Sequence, residues 1–190
     1  MVLPIVAYGH RTLKKMSVDI DKDYPELDKL IEDMFETMYA TNGVGLAAPQ
    51  INKNIRLFVL DTDPFKEEYP ETAGFKKVMI NVHIVEEEGE EWSFEEGCLS
   101  VPEIHEVVMR QPRIRVQYYD ENWEKHDEWF DGILARVMQH EYDHIEGKIF
   151  IEKISSIRKV LLKRKLNDIS TGNINAKYKM IFPALKKGRR

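Results

Sequence analysis

Gln139-His140-Glu141-Tyr142-Asp143-His144 decides how the rest of this chain is read. Residues four apart on an α-helix share one face, so His140 and His144 can grip one metal ion while Glu141 reaches a water beside it. The helix that carries them is expected to start at Asp131-Gly132 with Asp131 as its cap, and Ile133, Leu134, Val137, Met138, Glu141 and Ile145 trace its inward face. Gly147 closes it. Two helical histidines are also half of many closed structural zinc sites, but such a site has no use for Glu141.

A catalytic site of this kind has three protein ligands and one open position, so a third donor must come from elsewhere. A third histidine six positions after the second is ruled out, because that position holds Phe150, and no glutamate follows Glu152. Cys98 is the only cysteine and is then the natural third ligand, as a thiolate that the metal would keep deprotonated. It lies between Gly97 and a Ser100-x-Pro102 turn, in a stretch expected to be irregular or at a sheet edge, where a thiol is reachable.

At 190 residues, 43% hydrophobic and 32% charged, the chain has the size and balance of one well-packed domain. A single cysteine excludes an intrachain disulfide and fits a reducing compartment. No apolar run approaches the ~20 residues that span a bilayer, and the amino terminus lacks the features of a secretory or transit leader. The expectation is a cytoplasmic protein with no membrane partner. Charge is uneven: residues 157–190 hold eleven basic residues against one acid, Asp168, a local net of +10 in a chain whose total is −5. An acidic body with a basic tail suggests a polyanion facing the tail, although a solvated basic helix fits the same pattern.

Along the chain, Leu27, Leu30, Ile31, Met34, Phe35 and Met38 fall at helical spacing after Pro25, with Gly43 past the end. Gly43-Val44-Gly45-Leu46-Ala47-Ala48-Pro49-Gln50 is either a turn or a backbone that approaches a ligand closely. Residues 55–61, 78–85 and 113–119 read as strands, 62–77 as a surface loop, and the acids around Gly89 as a solvated hairpin turn. A second helix is expected from Ser156 to Asn167, with Ile157, Val160, Leu161 and Leu166 as one stripe and basic residues opposite. Residues 171–175 read as a turn, 178–182 as a final strand, and 186–190 as mobile.

Taken together, Gly43 to Gln50, Glu96-Gly97-Cys98-Leu99-Ser100 and Gln139 to His144 closely resemble, in order and spacing, the three motifs of the peptide deformylase family, over roughly residues 1–156. The resemblance implies an α+β single domain, with antiparallel sheets around a central metal-binding helix and a C-terminal helix. Residues 1–156 would form the catalytic part, and residues 157–190 a basic helix and tail. Cys98, His140 and His144 would bind Fe²⁺ natively, or Zn²⁺, Ni²⁺ or Co²⁺ in its place. Glu141 would take a proton from the attacking water and pass it to the departing amine, while the Gln50 amide and the Leu99 N–H stabilise the oxyanion. The substrate would be an N-formylmethionyl nascent peptide, with Gly45 on the cleft wall and Val44, Phe94, Ile133 and Val137 around the methionine side chain.

Arg136 stands where an apolar residue is common in the family, and its stem is expected to cover apolar surface with the charge outside. His105 stands where many bacterial members have arginine. The basic helix would dock on the ribosome through phosphate contacts. Two other readings use the same residues: a metallopeptidase with a cysteine ligand, and a non-catalytic, zinc-stabilised module that binds the ribosome.

Overall fold

Leu57-Phe58-Val59-Leu60 has no polar position, the pattern of a strand covered on both faces, and it lies at the centre of the computed structural model, which describes residues 1–183. The elements in chain order are β1 (Ile5–Val6), α1 (Leu27–Ala40), β2 (Gly45–Ala47), β3 (Leu57–Asp61), β4 (Lys76–Glu88), β5 (Trp92–Cys98), β6 (Val101–Arg110), β7 (Arg113–Tyr119), β8 (Lys125–Asp131), α2 (Gly132–Ile145), α3 (Ser156–Thr171) and β9 (Met180–Ile181). A five-stranded sheet runs in the order β2-β3-β4-β7-β8, with every pairing antiparallel. β5 and β6 form a separate antiparallel hairpin, and β9 pairs parallel with β1.

Because alternate strand residues face opposite ways, β3 serves two cores at once. Leu57 and Val59 pack with Ile31, Met34 and Met38 of α1, while Phe58 and Leu60 pack with Ala135, Val137, Met138 and Ile145 of α2. The sheet is therefore held between the two helices. A third cluster joins Val101, Ile104 and Val108 of β6 to Ile149, Phe150, Ile154, Leu166 and Ile169. The result is a single mixed α/β domain with antiparallel sheets, as expected.

Several expectations need correction. The acids around Gly89 do not turn a hairpin, because β4 pairs with β7 and β5 with β6, so this stretch crosses between two sheets. Its charges are matched across strands, Glu86 with Arg115 and Glu88 with Arg113, both at 2.6 Å. Asp131 occupies the N-cap position of α2 but gives no side-chain cap, since its carboxylate lies 3.2 Å from Arg113 instead. α3 continues to Thr171, and the expected stripe is not one face: nine residues of helix put Leu166 about 180° from Ile157, so Leu166 is buried while Ile157, Val160 and Leu161, on the opposite side, are 74%, 72% and 65% exposed. The mobility expected of residues 186–190 lies outside the described residues.

Candidate active site

The histidines reach their positions through helix geometry, and the thiol through a hairpin end. Pairing of β5 with β6 slips between Gly97 and Cys98, and Leu99 and Ser100 make the tight connection back to Val101. That irregularity turns Cys98 toward α2, where its Sγ lies 3.2 Å from His144 Nε2. Donor atoms of Cys98, His140 and His144 all lie within 4.8 Å of one another. One thiolate and two imidazoles form a donor set suited to Fe²⁺ or Zn²⁺. Two buried polar atoms beside it, Glu141 Oε2 and His144 Nδ1, have no hydrogen-bond partner among the described residues. Convergent donors with unsatisfied polar atoms around them fit a bound cation.

Beneath the donors lies a buried charge network. Glu96 Oε2 accepts from His140 Nδ1 at 2.9 Å, which leaves His140 Nε2 to face the other donors. Arg110 binds Glu96 through two nitrogens, at 2.7 and 2.9 Å, and reaches Asp143 of α2 at 2.7 Å. Arg136 adds a second guanidinium at 3.0 Å from Glu96. Burial opposes charge on Glu96, but the hydrogen bonds from Arg110 and His140 outweigh it and hold the carboxyl well below its usual range.

The two histidines titrate apart. Burial also works against charge on His140, yet the hydrogen bonds it donates to Cys98 and Glu96 push it well above the usual value. His144 is pushed well below by burial and then by the charges of His140 and Arg110. Burial raises Glu141 to about 7, with His140 lowering it and Glu96 raising it.

A cleft of about 780 Å³ opens above these groups. Gly45 of β2 forms its wall against Glu141, and a Cβ on Gly45 would come within 2.8 Å of the Glu141 carboxyl carbon, so only glycine leaves room for that carboxylate. Gln50 is buried, with its Oε1 accepting from the Ala47 N–H at 2.9 Å. Its amide nitrogen therefore points to Cys98 and Ser100, 3.5 Å from each. Leu99 lines the same cleft.

Of the residues assigned to the methionine pocket, Val44, Phe94 and Val137 line the cleft, and so does His105. Ile133 does not: it is buried and absent from the cleft lining, about two turns of α2 before His140. Arg136 departs from expectation more sharply. Its guanidinium is buried, hydrogen-bonded to the carbonyls of Val108 and Trp92 as well as to Glu96, and stacked 4.7 Å over the Trp92 ring. The charge that was expected outside is inside because Glu96 neutralises it there.

Residues 2–160 match the profile of the polypeptide deformylase family. The chain belongs to that family. It is 56% identical to the peptide deformylase of Christiangramia forsetii and 50% identical to that of Flavobacterium johnsoniae, each match covering all of both chains. It also resembles a crystal structure of peptide deformylase from Ehrlichia chaffeensis, with a TM-score of 0.80 at 34% identity over 91% of this chain and 99% of that one. Membership gives the chain the family's reaction, the metal-dependent removal of the N-formyl group from nascent polypeptides.

The motifs carried no hint of Arg110 or Tyr178, which meet the site from 14 and 79 residues away in sequence from their partners Glu96 and Leu99. Glu96 and Asp143 stand inside the quoted motifs, two residues before Cys98 and next to His144, and an acid so close to each was the available signal.

Proposed function

We propose that Cys98, His140 and His144 hold one divalent cation, Fe²⁺ in the cell with Zn²⁺, Ni²⁺ or Co²⁺ as substitutes, at the floor of a cleft that takes the formylmethionyl end of a new polypeptide. The observation that carries this reading is the meeting of three donor side chains, the buried Glu141 carboxylate and the Gln50 amide in one cleft. A cation bound there supplies a Lewis acid and a water acidified toward neutral pH.

The chain's own groups do the rest. Glu141 takes the proton released as water adds to the formyl carbon, then delivers it to the departing amine nitrogen. The Gln50 amide and the Leu99 N–H donate to the oxygen on which charge develops. β2 pairs with β3 on one side only, so its other edge is open to an extended peptide as an added strand. Val44, Phe94 and Val137 supply apolar surface for the methionine side chain.

No helix among the described residues is long and apolar enough to cross a membrane, and we assign the protein to the cytoplasm, where formylated chains emerge. Docking on the ribosome through α3 is supported by its basic residues, of which Arg158, Lys159 and Lys165 are tied to Glu106, the Glu152 carbonyl and the Glu103 carbonyl. Reversing Lys163 and Arg164 to Glu is expected to weaken ribosome co-sedimentation at low salt, and unchanged co-sedimentation would overturn the docking.

The activity test is formate release from formyl-Met-Ala-Ser and its unformylated counterpart, using protein loaded anaerobically with Fe²⁺. Formate from the first peptide only is the expected result. Cleavage inside either peptide, or no formate from a metal-filled site, would overturn the assignment.

A further inference from the structure

The connection between β5 and β6 carries the Leu99 N–H, and its direction matters only if the two residues of that connection cannot swing. A tight turn at a point of slipped register has little of its own to fix it. Here the turn is held from outside. The Ser100 carbonyl accepts from the Tyr8 N–H at 2.8 Å, and the Leu99 carbonyl accepts from the Tyr178 hydroxyl at 2.7 Å. Tyr178 belongs to the segment after α3, beyond the residues matched by the family profile.

That segment is anchored well enough to act as a support. Backbone bonds run from Ile5 N–H to the Lys179 carbonyl at 2.9 Å and from Ala7 N–H to the Ile181 carbonyl at 2.8 Å, fixing the chain on either side of Met180 against β1. Tyr178 and Leu99 each pack against the edge of the first core cluster, and both residues line the cleft. A hydroxyl that spends its hydrogen bond on the turn's carbonyl, inside the cleft, holds the peptide plane that follows the Leu99 N–H.

We propose that Tyr178 is a positioning residue for the deformylation reaction: through the Leu99 carbonyl it fixes the turn whose N–H faces the reacting oxygen. The inference rests on the assignment of Leu99 given above. Removing an oxyanion donor outright costs about 10²–10³ in rate, and loosening one costs less.

The test is Tyr178→Phe in the full-length, metal-loaded protein, which keeps the ring and removes the donor. We expect kcat for formyl-Met-Ala-Ser to fall about tenfold with KM within about twofold, unchanged metal content and Tm, and faster amide exchange at Leu99 and Ser100. Tyr178→Ala should lose kcat to about the same extent. A loss in the alanine variant alone would assign the effect to packing, and a rise in KM alone would mean contact with the peptide. Either result overturns the positioning role, as does unchanged kcat or unchanged amide exchange in Tyr178→Phe. If the parent chain releases no formate, the functional assignment fails and this role fails with it, whereas an active parent with an unaffected Tyr178→Phe overturns this role alone.

Discussion

α2 and α3 have similar lengths, fourteen and sixteen residues, but α2 gathers its apolar side chains on one side while those of α3 are spread over opposite sides, and ten residues of α2 are buried against two of α3. The first is packed between the five-stranded sheet and the hairpin of β5 and β6, with even its charged residues Arg136, Glu141 and Asp143 enclosed. The second rests on the third cluster through Leu166 and Ile169, and it leaves Ile157, Val160 and Leu161 in the open. Apolar content alone does not make a face: a helix is buried along its length only where its apolar residues fall on one side.

The two helices differ most in the charges buried under α2. Arg110→Ala strips the partner from buried Glu96 and Asp143, and we expect a loss of about 3–5 kcal/mol in chemical denaturation. A loss below about 1 kcal/mol would mean that water already compensates the network. On the apolar side, Met138→Ala should cost about 2–5 kcal/mol, because Met138 is buried between helix and sheet.

Next comes function. Glu141→Gln should leave Tm close to that of the parent and reduce formate release at least about 100-fold, the share expected of a missing acid–base group. Turnover retained in that variant would remove Glu141 from the reaction. Smallest is Leu161→Ala on α3, expected to change stability by no more than about 0.5 kcal/mol because the side chain is already in solvent. A cost near that of Met138→Ala would erase the contrast between the two helices.

Much of the site was legible for a physical reason: His140 and His144 are four apart on one helix, and their joint direction follows from helical pitch alone. Cys98 came from counting, as the only cysteine in the chain. The family likeness singled out Gln50, Leu99 and Gly45, which meet in the cleft with Cys98 and His140. Arg136 was misjudged because local sequence gives the length of its stem but not the carboxylate waiting for its end. β8 went unread because its sequence, Lys125 to Asp131, is mostly polar; pairing with β7 along its whole length makes it a strand.

What the sequence determined by itself was what depends on short-range geometry: the inward face of α2, the pairing of His140 with His144 on it, the strand alternation of β3 and the charge bias of the last 34 residues. Only the tertiary structure decided which faces are covered, that Glu96 gathers Arg110, Arg136 and His140, and that Tyr178 reaches Leu99. Periodic backbone geometry orients side chains over a few residues, whereas contacts across 14 to 79 residues exist only after sheet and hairpin have closed around the helix.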